Sequence, residues 1–119
     1  MLKLNRLGGF LPAVQAIAIC EAGGIGVSVD TNPYTIVGDT ACCHIAAVAR
    51  TPYPVDCEGH VSFLDIGSPS PFRGGITIAD GRAKLPDVPG LGVEVDCALL
   101  RSRQEADIGA PKTGLTAQL

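Results

Sequence analysis

The sequence predicts an α/β fold in which short strands alternate with helices over a parallel sheet. Three observations carry it. Apolar β-branched runs alternate with stretches of helical periodicity, Gly and Pro punctuate the chain at nearly every junction, and the apolar composition is aliphatic rather than aromatic. With 46% apolar but only 4% aromatic residues, a core must be built from Ala, Val, Ile, Leu and Gly, a composition that suits close packing of helices on a sheet. At 119 residues one domain is the ceiling.

Each element can be justified in order. "LKLNRLGG", Leu2 to Gly9, opens as an apolar strand that holds one lysine, Lys3, and stops at a Gly pair. In "FLPAVQAIAICEAGG" the residues Phe10, Val14, Ile17 and Ala18 recur at i, i+4, i+7 and i+8, which predicts an amphipathic helix. Pro12 is tolerated there only in the first turn, and Gly23 and Gly24 end the helix. "IGVSV", Ile25 to Val29, predicts a second strand, and Asp30 to Tyr34 a loop. Ile36 to Arg50 carries a stripe at Val37, Ala41, His44 or Ile45, and Val48, hence a second helix; "VDCEG" after a Pro-rich break predicts a third strand. Strand, helix, strand, helix, strand with short connections is the pattern of right-handed βαβ units.

Beyond Gly59 the texture changes. A Ser/Pro-rich loop precedes "ITIADGRAKL", where Asp80-Gly81 between two short runs predicts a type I′ hairpin. "PDVPGLGVEVD" and a short helical "CALLRSR" follow, and residues 104–119 read as a polar, frayed tail, which leaves 1–103 as the folded portion.

Charge and composition exclude some partners. A net charge of -3 and the absence of a Lys/Arg cluster argue against a nucleic-acid surface. No apolar stretch approaches the roughly 18 to 20 residues of a membrane span, and the N-terminal residues lack a secretion signal, so a cytoplasmic location and no membrane partner are expected. Cys20, Cys42, Cys43, Cys57 and Cys97 lack CxxC spacing and read as reduced, mostly buried thiols. Cys42, Cys43 and His44 are adjacent on a helix and diverge by about 100° per residue, which is not metal-ligand spacing. No phosphate-loop pattern accompanies Gly8 and Gly9. His44 reads as a packed, hydrogen-bonded residue and His60 as a solvated one.

Two stretches bear a resemblance. "LKLNRLGG", with a lysine five positions before the Gly pair, and "DGRAKLPDVPGLGVEVD", with its Pro-Gly-Leu-Gly-Val-Glu-Val-Asp run, resemble the enolase superfamily in its mandelate racemase and muconate lactonizing branch. The resemblance covers about residues 2 to 100 and implies a partial TIM (β/α)8 barrel: the last three β/α units followed by a C-terminal hairpin region. It implies chemistry at the C-terminal ends of the strands, namely removal of a proton alpha to a carboxylate, with the enediolate held on a divalent metal, usually Mg²⁺.

By the same resemblance Lys3 is the acid/base lysine of the sixth strand. An ordinary lysine has a pKa of roughly 10.4, so the basic role requires lowering toward about 7 to 8. The racemase type would place Asp at Lys3 and His at Asp30; the lysine type, found in muconate lactonizing enzymes, dipeptide epimerases and N-acylamino acid racemases, is nearer. Asp56 and Glu58, two apart on a strand, share a face. The resemblance makes them, with Asp30, substrate-binding groups.

The family's metal carboxylates and second lysine come from strands that precede the sixth, so no metal is expected on these residues alone, and catalysis is expected to need the other barrel strands. The partners expected are then a small carboxylate substrate, the missing barrel half, or further copies of the chain through open sheet edges. The alternative from another class is a noncatalytic α/β module that uses those edges to bind.

Overall fold

The computed structural model describes residues 1–31, 35–50, 52–57 and 69–109. Four helices and four short strands lie along the chain: α1 (Leu4–Leu7), α2 (Phe10–Ala22), α3 (Ile36–Val48), β1 (Phe72–Gly74), β2 (Thr77–Ala79), β3 (Arg82–Lys84), β4 (Val93–Val95) and α4 (Cys97–Gly109).

The expected parallel arrangement is present in minimal form. Leu2 bridges Val29 and Asp30 bridges Asp56, both parallel. The Leu2 amide donates to Ser28 O at 2.7 Å, and the Asp30 amide returns to Leu2 O at 3.0 Å. Thr31 N donates to Asp56 O at 2.8 Å, and Asp56 N to Val29 O at 3.3 Å. Three segments therefore lie side by side in the order first, second, third, with α2 and α3 as the crossovers.

The first segment is shorter than its sequence suggests. After Leu2 the chain turns at once into α1, because the Lys3 carbonyl accepts from both the Arg6 and Leu7 amides. Gly8, at φ 88°, ends that turn in the left-handed region, which a residue with a Cβ enters only at a cost.

α2 and α3 form where periodicity places them, but their buried faces are rotated from the predicted stripes. In α2 the buried residues are Ala13 and Ile17, while Phe10 and Val14 remain 45% and 38% exposed. In α3 burial covers Asp39 to Cys43 and Ile45, and Val48 is exposed. A 100°-wide stripe cannot describe a helix covered on several sides at its middle. The core joins Ala13, Ile17, Val27, Val29, Cys42 and Ile45, with Leu2, Leu4 and Leu7 packed against it. Alternation along the second segment sends Val27 and Val29 toward the helices.

The hairpin forms as expected. β2 and β3 pair antiparallel around Asp80 (φ 51°) and Gly81 (φ 69°), the two positive φ values of a type I′ turn. β1 pairs antiparallel with β4, joining Phe72 to Val95 across more than twenty intervening residues. This ribbon is tied to α3, since Ile76 N donates to the buried Thr40 Oγ1 at 3.1 Å. Asp96 caps α4, its Oδ1 accepting from the Leu99 amide at 2.9 Å. That helix continues into the stretch read as tail and ends at Gly109. Among the described residues no helix is long and apolar enough to cross a membrane.

Candidate functional site

The sheet face opposite the core gathers the charges. Leu2 points into the core, so the next extended residue, Lys3 (φ −122°, ψ 118°), projects from the other face. Val29 likewise points into the core, and Asp30 therefore shares the face of Lys3. The two meet: Lys3 Nζ lies 2.6 Å from Asp30 Oδ2, with side-chain exposures of 18% and 4%. Asp56 is the direct parallel partner of Asp30 and sits at the exposed side of the same face.

Lys3, Asp30 and Asp56, all expected as site residues, are thus brought to one face by register alone. Glu58 and His60 lie outside the described residues. One oxygen of Asp30, expected to contact substrate, is engaged by the Lys3 ammonium. Asp30 Oδ1 and Thr31 Oγ1 are buried with no hydrogen-bond partner among the described residues. Beside them opens a pocket of about 440 Å³ lined by Met1, Ser28, Asp30, Tyr53 and Asp56. Tyr53 reaches this wall because Gly26 lacks a Cβ, which would stand 2.9 Å from the Tyr53 ring.

Among the described residues no three His, Cys, Asp or Glu side chains are grouped to hold a metal ion. The anionic side chain best placed for one, Asp30, already has a cationic partner.

Sequence reasoning missed two features. His44 is half-buried on α3, but its Nε2 has no hydrogen-bond partner among the described residues, contrary to the expected satisfied histidine. Cys43 and Cys57 bring their sulfurs to 3.7 Å. Burial raises the pKa of both thiols, Cys43 to about 12, and does the same to Cys42 in direction. Only the register of the third segment against the second creates that thiol contact, and no spacing rule signals it.

Comparison with known proteins identifies the family. Residues 1–99 match the family described as enolase C-terminal domain-like. The chain is 32% identical over 105 residues to the L-Ala-D/L-Glu epimerase of Bacillus subtilis, covering 87% of this chain and 27% of that protein. It is 33% identical over 102 residues to a chloromuconate cycloisomerase of Pseudomonas putida, covering 84% and 26% respectively. A solved substrate-liganded complex of the Bacillus epimerase superposes with a TM-score of 0.65 at 32% identity, over 76% of this chain and 24% of that one. The chain therefore spans about a quarter of the length of the curated relatives it matches. With a family match over residues 1–99 and a mixed α/β fold shared with an epimerase, the chain belongs to the enolase superfamily, in the branch of the mandelate racemases and muconate lactonizing enzymes.

Proposed function

We propose that these residues form the last three β/α units and C-terminal hairpin region of a (β/α)8-barrel enzyme that moves a proton alpha to a carboxylate. Lys3 is the proton-transfer group. In the forward step the substrate Cα–H bond breaks, the proton passes to neutral Lys3 Nζ, and the electron pair delocalises into the carboxylate as an enediolate. In the reverse step the ammonium returns a proton to carbon. Racemisation, epimerisation and dehydration begin this way, whereas cycloisomerisation reaches the enediolate by ring closure and uses only the return of a proton to carbon.

Asp30 acts on Lys3 rather than on substrate, holding the amine at the end of the first segment. Asp56, exposed next to Asp30, would receive a cationic or hydroxyl group of the substrate, the role also assigned to Glu58 by the family resemblance. In the superfamily magnesium supplies charge stabilisation at the carboxylate; the residues that would bind it belong to strands other than these, and the 119 residues alone are proposed not to turn over. The single observation that supports the reading is the 2.6 Å Lys3–Asp30 pair on the sheet face away from the core, beside Asp56.

The test is complementation. The chain is coexpressed with the remaining, N-terminal portion of an L-Ala-D/L-Glu epimerase, and alpha-proton exchange is followed in deuterated buffer containing magnesium. Exchange is expected from the pair of chains and not from either alone, and it should disappear with Lys3→Ala. Exchange that survives Lys3→Ala removes the assigned role.

A second reading is favoured by the exposure of Leu11, Ile19 and Ile25, at 70%, 73% and 62%. On that reading the chain is a noncatalytic module that associates with itself or a partner. Size-exclusion chromatography separates the two: a defined oligomer supports the module, and a polydisperse species that resolves only on complementation supports the enzyme.

A further inference from the structure

The thiol pair lies apart from the charged face. Cys43 comes from the middle of α3 and is 5% exposed, while Cys57 follows Asp56 in the third segment and is half-buried. Their sulfurs stand 3.7 Å apart, in hydrogen-bond contact. A disulfide has an S–S bond of about 2.05 Å, so closing it requires an approach of roughly 1.7 Å. Cys42, although adjacent, projects about 100° away around the helix and lies beside the Leu4 amide. It therefore does not compete.

Access comes from the third side. Both cysteines line a cavity of about 510 Å³ between α3, the third segment and the β2–β3 hairpin, lined also by Ala46, Pro54, Arg82 and Leu85.

We propose that Cys43 and Cys57 form a redox modification site, at which a low-molecular-weight disulfide entering this cavity converts the two thiols into an intramolecular cross-link between α3 and the segment bearing Asp56. The more exposed Cys57, as thiolate, attacks one sulfur of the small disulfide and releases one small thiolate. Cys43, as thiolate, then attacks the Cys57 sulfur of the mixed disulfide and releases the second. The protein pair loses two electrons and two protons, and the small disulfide gains them as two thiols. Because burial disfavours both thiolates, the site reacts slowly near neutrality and faster as pH rises. The consequence falls on Asp56, whose backbone is the immediate neighbour of the cross-link.

The full chain is reduced, incubated with oxidised glutathione, blocked with N-ethylmaleimide, digested and analysed by mass spectrometry. The expected product is lighter by two hydrogens and contains one cross-linked peptide, Cys43 to Cys57, with Cys20, Cys42 and Cys97 alkylated. Its thermal midpoint is higher than that of the reduced chain, and dithiothreitol reverses the change. Cys57→Ser should lose both the cross-link and the shift, whereas Cys42→Ser should retain both. In concentrated urea the same oxidation should scatter over all five cysteines, a control that holds even where a variant does not fold. A scattered pattern in buffer as well as in urea, or a stable glutathione adduct on Cys43 or Cys57 without a cross-link, overturns the proposal.

Discussion

Lys3 and Asp30 sit close enough, and dry enough, that each depends on the other's charge. A buried pair adds little net stability over an apolar pair, yet removing one member strands the other in a low-dielectric site. Lys3→Ala is therefore expected to cost about 3–5 kcal/mol in urea titration, a large share of the roughly 5–15 kcal/mol that stabilises a domain. The double variant Lys3→Met with Asp30→Leu should recover the greater part; a double variant as unstable as the single would show that Asp30 is not what Lys3 satisfies. The buried thiols give a second, pH-dependent effect. In the unfolded chain the Cys43 thiol titrates at the ordinary 9.0, and in the fold burial pushes it to about 12. Its folded pKa is the higher, so its contribution to stability is complete below pH 9.0 and is lost as pH rises toward about 12. Stability should fall over that window by up to ~1.4 kcal/mol per pH unit per such thiol, and Cys43→Ala should flatten the slope relative to wild type. An unchanged slope in the variant would place the titrating group elsewhere. Lys3 could be singled out from sequence because a fixed distance from a Gly pair carried the information. Asp30 as its counter-ion could not, because that role depends on how the second segment registers against Leu2, which no local pattern states.

The same division between local and distant information holds for the elements. α2, α3 and the hairpin at Asp80-Gly81 were legible because each is specified within a few residues, by periodicity or by a turn dipeptide. α1 was not, since "LNRL" is apolar enough to continue a strand and only the Lys3 carbonyl, taken by two amides, turns it into a helix. Nor was the β1–β4 ribbon, whose partners are far apart and whose strands are three residues each. That ribbon depends on glycines at its crossing with α3. At Gly75, φ is 86°, and an added Cβ would stand 2.7 Å from Ile36 Cγ1 and 2.8 Å from Thr40 Oγ1, the atom that receives the Ile76 amide. At Gly81, φ is 69° with nothing within 4 Å. Gly81→Ala should therefore cost only the conformational penalty, about 1–2 kcal/mol. Gly75→Ala carries that penalty plus overpacking of about 1–3 kcal/mol, and it should also disturb the Thr40 hydrogen bond. Thermal denaturation of the two variants side by side checks the ranking; equal losses would mean that the ribbon does not press on α3.

At the scale of the molecule, the core lies on one side of α2 while apolar residues emerge on the others. Ala13 and Ile17 face inward, yet Leu11 and Ile19 are 70% and 73% exposed, and Ile25 just beyond is 62% exposed. Among the described residues no strand pairs on the outer side of Leu2 or of Asp56. Large side chains bared together with open strand edges favour association, because each fully buried Leu or Ile gains on the order of 1.5–3 kcal/mol and each edge offers unpaired amides and carbonyls. The isolated chain is therefore expected to associate with rising concentration in light scattering coupled to size exclusion. Leu11→Lys with Ile19→Lys removes the helical contribution without touching Ala13 or Ile17, so it should shift the population toward monomer while leaving the circular dichroism spectrum intact. If the double variant associates as strongly as wild type, the contact runs through the strand edges. A chain that stays monomeric at every concentration would instead mean that these surfaces are covered within the molecule, and the case for a partner that completes the sheet would lose its physical basis.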